Sequence, residues 1–125
     1  MRKILSLLAS VVMLAGCAGN TQYAFQDPAP GEPEARIPFV HLGGLYNWHA
    51  DNDRLLYVEG RDRQWYRVNL FGPCIGLEFA SGLRLIPSDS AGTFDRFGSI
   101  AIRDQRCKVE SVKKVAQPVL THRDT

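Results

Sequence analysis

Residues Gln64 to Phe71 read QWYRVNLF, an order with the period of a β-strand. Successive side chains of a strand point to opposite faces, so the run divides into two rows. Tyr66, Val68 and Leu70 form one row; Trp65, Arg67, Asn69 and Phe71 form the other. Gly72-Pro73 then ends the strand, because proline has no backbone donor to give to a ladder.

The neighbouring runs extend this pattern. Leu45, Tyr46 and Trp48 lie in a short β-like run that stops at Asp51-Asn52-Asp53, residues that favour turns. Arg54 to Glu59 (RLLYVE) follows, and Gly60-Arg61-Asp62-Arg63 separates it from QWYRVNLF. Three runs joined by short turns predict an antiparallel meander. Ile75 to Gly82 (IGLEFASG) fits either a short helical turn or a bent strand, since Gly76 and Gly82 permit both. Leu83 to Ile86 reads as a strand stopped by Pro87. Phe94 to Arg103 and Arg106 to Val112 read as a further strand pair, with Ile100, Ile102, Cys107 and Val109 aimed at one core. Six or seven short strands in about 75 residues predict a mainly β domain, a small antiparallel barrel or sandwich, over residues 39–115. Residues 116–125 lack apolar periodicity and are expected to form a disordered tail.

The N-terminus belongs to a different problem. Arg2 and Lys3 precede the uncharged run Ile4 to Leu14, and small residues follow. A positive start, a short apolar core and a small-residue cleavage zone make a secretory signal, expected over residues 1–16. The run is too short to span a bilayer, which takes about 20 apolar residues. Leu14-Ala15-Gly16-Cys17 resembles the lipobox of bacterial lipoproteins. The resemblance implies cleavage before Cys17, a diacylglyceryl group on its thiol and a fatty acid such as palmitate on the new amino group. Several acyl chains are needed, because one alone gives only marginal membrane binding. Ala18 is not the aspartate that retains such proteins in the inner membrane, so the expected location is the outer membrane, facing the periplasm.

Residues 17–38 hold Pro28, Pro30, Pro33 and Pro38 among small and polar side chains. They read as a flexible linker from the lipid to the domain. Tyr23 and Phe25 are two aromatics in that linker, able to touch either lipid headgroups or the domain. Loss of Arg2 and Lys3 lowers the 15 basic residues to thirteen, equal to the 13 acidic ones. A neutral mature chain without a basic run gives no electrostatic reason to bind nucleic acid.

With Cys17 lipidated, Cys74 and Cys107 remain as a pair in an oxidising compartment, where a disulfide is expected. It would close a loop of about 34 residues and restrict the unfolded chain by about 4 kcal/mol. The rival readings are a metal pair, which wants two more ligands at local spacing, and a redox pair, which wants C-x-x-C. From Leu45 to Val112 the chain resembles the DUF6491 family of proteobacterial envelope proteins. The resemblance rests on NWHADNDRLLYVEGRDRQWYRVNL, GPCIGLEFA, FDRFGSI and the RC at Cys107. It implies the Cys74–Cys107 disulfide and a lipoprotein or secreted setting, and it brings no activity with it.

Little in the chain points to catalysis. His41, His49 and His122 stand at spacings that build no local zinc motif, and there is no G-x-S-x-G elbow or phosphate loop. His49 with Asp51 and Asp53 is read as turn chemistry rather than a metal site. Asp51-x-Asp53 is not a calcium loop, because Leu56 stands where that loop requires glycine. Glu78 is read as solvated or ion-paired. The expectation is a protein without catalysis or cofactor. An aromatic and basic group (Trp48, Tyr57, Trp65, Tyr66, Arg67, Phe94, Arg96, Phe97) carries the remaining interest. Within it, Trp65, Arg67 and Phe71 on one strand face are the candidate surface for an envelope protein or glycan, if that face is exposed rather than packed. A small-ligand carrier with its site in a barrel mouth is the alternative.

Overall fold

The computed structural model describes residues 21–42, 45–117 and 119–122. The expected signal segment and the expected lipidation site at Cys17 lie outside the described residues. Among the described residues eight strands follow in chain order: β1 (Thr21–Ala24), β2 (Asn47–Asn52), β3 (Leu55–Glu59), β4 (Trp65–Leu70), β5 (Arg84–Ile86), β6 (Ser99–Ile102), β7 (Gln105–Val115) and β8 (Val119–His122). The expected meander is β2-β3-β4. The ambiguous stretch after Cys74 forms a 3-10 turn at Leu77–Phe79.

Strands β2 to β7 make one antiparallel sheet in the order β2-β3-β4-β7-β6-β5, curled into a half-barrel. The mainly β antiparallel expectation therefore holds, in an open form. The curl comes from β7. Its first residues, Gln105 to Lys108, pair with β6, and the stretch from Val109 to Val115 pairs with β4. Within the β4 pairing lies a register shift, where Asn69 faces Ser111 but Leu70 faces Val109. The extra residue on β7 bends the strand and raises its local twist. It also explains why Val109 and Val112 are both buried in the core although three positions apart.

The core lies inside this curl. Leu56, Val58, Tyr66, Val68, Leu70, Ile100, Ile102, Val109 and Val112 come from strands, and Ile37, Cys74, Leu77 and Phe94 close it from the loops. Tyr66 donates a hydrogen bond from its hydroxyl to Asp62 (2.9 Å) at the rim. Burial, reinforced by that bond, holds its phenol proton well beyond the ordinary value. Cys74 and Cys107 form the expected disulfide, Cα–Cα 5.8 Å, tying the loop after β4 to β7.

Two expected boundaries change. The linker was expected to run free to residue 38, but Ile37 is only 1% exposed. Ile37 and Phe94 exchange both backbone hydrogen bonds (2.8 and 2.9 Å), and the Ala35 amide donates to the Val112 carbonyl (2.7 Å). Prolines forbid ladder donors at their own positions, yet Ala35 and Ile37 lie between them and remain able to pair. The C-terminal stretch likewise was expected to be disordered, whereas Val119–His122 pairs antiparallel with Thr21–Ala24.

Candidate functional site

The three residues singled out on QWYRVNLF do not share a surface. Trp65 is only 4% exposed and packs with Tyr57 and Val115 in a second, smaller cluster on the outer face of the sheet. That cluster is covered by the supposed linker. The Phe25 ring stacks on Tyr57 (centroids 4.2 Å) and on His49 (5.0 Å), and meets Trp65 edge-on (5.2 Å). Arg67 pairs with Asp27. Burial raises the Tyr57 pKa, an effect that Arg67 opposes. The packed reading of Trp65 is therefore the correct one.

Residues 25–32 form a strap over β4 and β7, and a polar groove of about 450 Å3 lies along it. Asp27, Pro28, Glu32, Arg67, Asn69 and Lys113 are among its lining residues. The Lys113 ammonium donates to the Glu32 carbonyl (2.8 Å) and lies 3.3 Å from the Glu34 carboxylate.

Phe71 is different: it is 66% exposed. Its amide donates to the Lys108 carbonyl (3.1 Å), and its ring lines a cleft of about 220 Å3 with Arg96, Phe97, Lys108, Val109 and Glu110. Phe97 is 69% exposed at the tip of a tight turn. The buried Asp95 carboxylate accepts the Phe97 amide (2.9 Å), and the Asp95 carbonyl accepts the Gly98 amide (2.9 Å). Gly98 is required there, since a Cβ would lie 2.8 Å from the Ile86 carbonyl oxygen. Arg96 sits 4.8 Å over the Phe97 ring. A turn fixed this firmly holds Phe97 out in solvent.

A third groove, about 540 Å3, runs along the β5 edge between Val40 and His41 on one side and Leu83 to Pro87 on the other, with Arg84 and Arg106. His41 packs so closely on Gly92 that a Cβ there would fall 1.6 Å from Nδ1.

Against known proteins, the model of a family described as "Family of unknown function (DUF6491)" matches residues 1–123. The chain belongs to the DUF6491 family. No curated protein and no solved structure matches it. In this DUF6491 protein the other candidate residues take structural places. His49 Nε2 lies 3.5 Å from Asp51 Oδ1, and the Asp53 carbonyl accepts the Cys74 amide (2.7 Å). Among the described residues no three of His, Cys, Asp and Glu gather as metal ligands. Glu78 is exposed in the 3-10 turn. Asp89 caps its own loop, its carboxylate accepting the Thr93 amide (3.0 Å), and that bond first of all lowers its pKa. Sequence reasoning missed Asp27 and Lys113. It placed Phe97 in the aromatic and basic group, with no signal that Phe97 would share a cleft with Phe71.

Proposed function

We propose that this DUF6491 protein is a non-catalytic interaction module of the bacterial envelope, lipid-anchored at Cys17, that grips a segment of another envelope protein. The observation that carries this reading is the Phe71–Phe97 cleft, lined by two large exposed aromatic side chains, of which Phe97 is held in solvent by a hydrogen-bonded turn. Exposed aromatics beside an arginine are favoured anchors of protein contacts. Arg96 and Lys108 outnumber Glu110 around the cleft. The fitting occupant is thus an apolar side chain flanked by a carboxylate. The test is a photo-crosslinking residue at position 97 in intact cells. One discrete protein adduct, lost on Phe71→Ser or on Arg96→Glu, is expected. An adduct pattern indifferent to both changes overturns the reading, and a glycan adduct transfers it to another partner class. The anchor is tested separately: exported Cys17→Ser protein is expected in the soluble periplasmic fraction.

The carrier reading is favoured by the β5 groove, where apolar side chains lie beside Arg84 and Arg106. It predicts a co-purifying amphiphilic anion that is lost on Arg84→Ala.

A further inference from the structure

The strap covers a surface whose chemistry suits a ligand better than it suits the strap. Beneath it, Arg67 Nε and Asn69 Oδ1 are buried with no hydrogen-bond partner. A buried donor and a buried acceptor left unpaired both oppose the closed arrangement. The strap cannot easily mend this. Pro28 and Pro30, on either side of Ala29, have no amide hydrogen, so two positions of the strap offer no donor to Asn69 Oδ1.

Both ends of the segment are held by backbone pairing, Thr21–Ala24 against Val119–His122 on one side and Glu34 to Ile37 on the other, and the stretch between them is held differently. From Glu34 onward the chain is fixed by backbone pairing: Glu34 bridges to Lys113, Ala35 bonds to Val112, and Ile37 pairs with Phe94. Between Phe25 and Glu32 the attachments include ring stacking by Phe25, the Arg67–Asp27 pair and the Lys113 bond to the Glu32 carbonyl. The Asp27 side chain is 82% exposed, so its ion pair is screened by water and contributes little.

We propose that the outer face of β3, β4 and β7 is a peptide-binding site whose resident occupant is the chain's own strap. The strap gives way to a partner segment bearing an aromatic residue and, two positions later, a carboxylate. The strap itself displays the recognition chemistry. The aromatic ring takes the Phe25 seat on Tyr57 and Trp65, the carboxylate takes Arg67, and a backbone carbonyl takes Lys113. A partner without prolines after the carboxylate adds amide donors that the strap lacks at positions 28 and 30, one of which can serve Asn69 Oδ1. The face that QWYRVNLF presents is thereby a binding face after all, kept closed until a competitor displaces the cover.

The test uses the mature chain with its disulfide intact and a fluorescent peptide of residues 21–32, TQYAFQDPAPGE. The peptide is expected to bind the Phe25→Ala/Asp27→Ala variant at least about tenfold more tightly than the unaltered chain, because a site mostly occupied by its own strap loses apparent affinity in proportion. A second peptide, with alanine at the positions of Pro28 and Pro30, is expected to bind more tightly again. A third, with alanine in place of Phe25, is expected not to bind. Equal affinity of the first peptide for variant and unaltered chain overturns the proposal, as does binding that ignores the peptide's aromatic residue. Hydrogen exchange on the unaltered chain serves as the second measurement. Amides of residues 25–32 are expected to exchange well before those of Ala35 and Ile37, and equal protection also overturns the proposal. The Phe71–Phe97 cleft is a separate surface, so either result leaves the crosslinking reading standing on its own test.

Discussion

The two faces of the β3-β4-β7 sheet are built from the same alternating strands but are closed in different ways. The inner face carries Leu56, Val58, Tyr66, Val68 and Val112, sealed by Phe94, Ile37 and Leu77 into one continuous core. The outer face carries Tyr57, Trp65 and Val115, a cluster of three buried residues sealed by Phe25 and Leu55. Inside, polar atoms reach partners, as Tyr66 reaches Asp62. Outside, Arg67 Nε and Asn69 Oδ1 are buried without them. The inner face is organised for stability. The outer one tolerates a cost that a stable core excludes.

Substitutions sharpen this contrast in order of size. Phe94→Ala empties the centre of the inner core and is expected to cost about 3–5 kcal/mol by urea denaturation. Replacing both Cys74 and Cys107 by serine is expected to cost about 2–4 kcal/mol, because the long loop they close becomes free in the unfolded chain. Phe25→Ala removes only the stacked cover of the outer face, and a loss of about 1–2 kcal/mol is expected. The contrast between the faces breaks if that loss equals the Phe94→Ala loss in the same assay.

Tyr66→Phe deletes the bond to Asp62 and is expected to cost about 1 kcal/mol at neutral pH. It also changes the alkaline limb. An unfolded tyrosine loses its proton near pH 10, and native Tyr66 keeps its proton to higher pH. Above about pH 10 the native state therefore binds more protons than the unfolded one, and stability falls as pH rises. The decline is expected to be shallower in Tyr66→Phe, and parallel denaturation curves from pH 8 to 11 check it. The smallest effect belongs to Asn69→Leu. Removing an unpartnered acceptor from the outer face is expected to leave stability unchanged or to raise it by up to about 1 kcal/mol. A clear loss in thermal melting would show that Asn69 is satisfied in solution.

What could be read in advance follows the range of the interactions involved. Turn residues and period-two alternation act over a few positions, so β2, β3 and β4 were legible as a meander, and Tyr66, Val68 and Leu70 as one row. The pairing of Cys74 with Cys107 was legible because the third cysteine sits in a lipobox-like sequence. The linker was misjudged because four prolines among polar residues resemble a tether. Ile37 and Phe25 are single apolar residues whose burial depends on strands that come later in the chain.

The sequence alone determined that QWYRVNLF has two unlike faces, since alternation is a property of the extended backbone itself. Tertiary structure decided which face would be core and what would cover the other. Tyr66 and Trp65 are both large and apolar enough to be buried, so composition cannot rank them. The ranking came from long-range pairing. The shift on β7 curled one side inward around Phe94, and the strap brought Phe25 and Asp27 across the other. Phe71, just past the end of the same strand, fell beyond the strap's reach and lines a cleft with Phe97 instead.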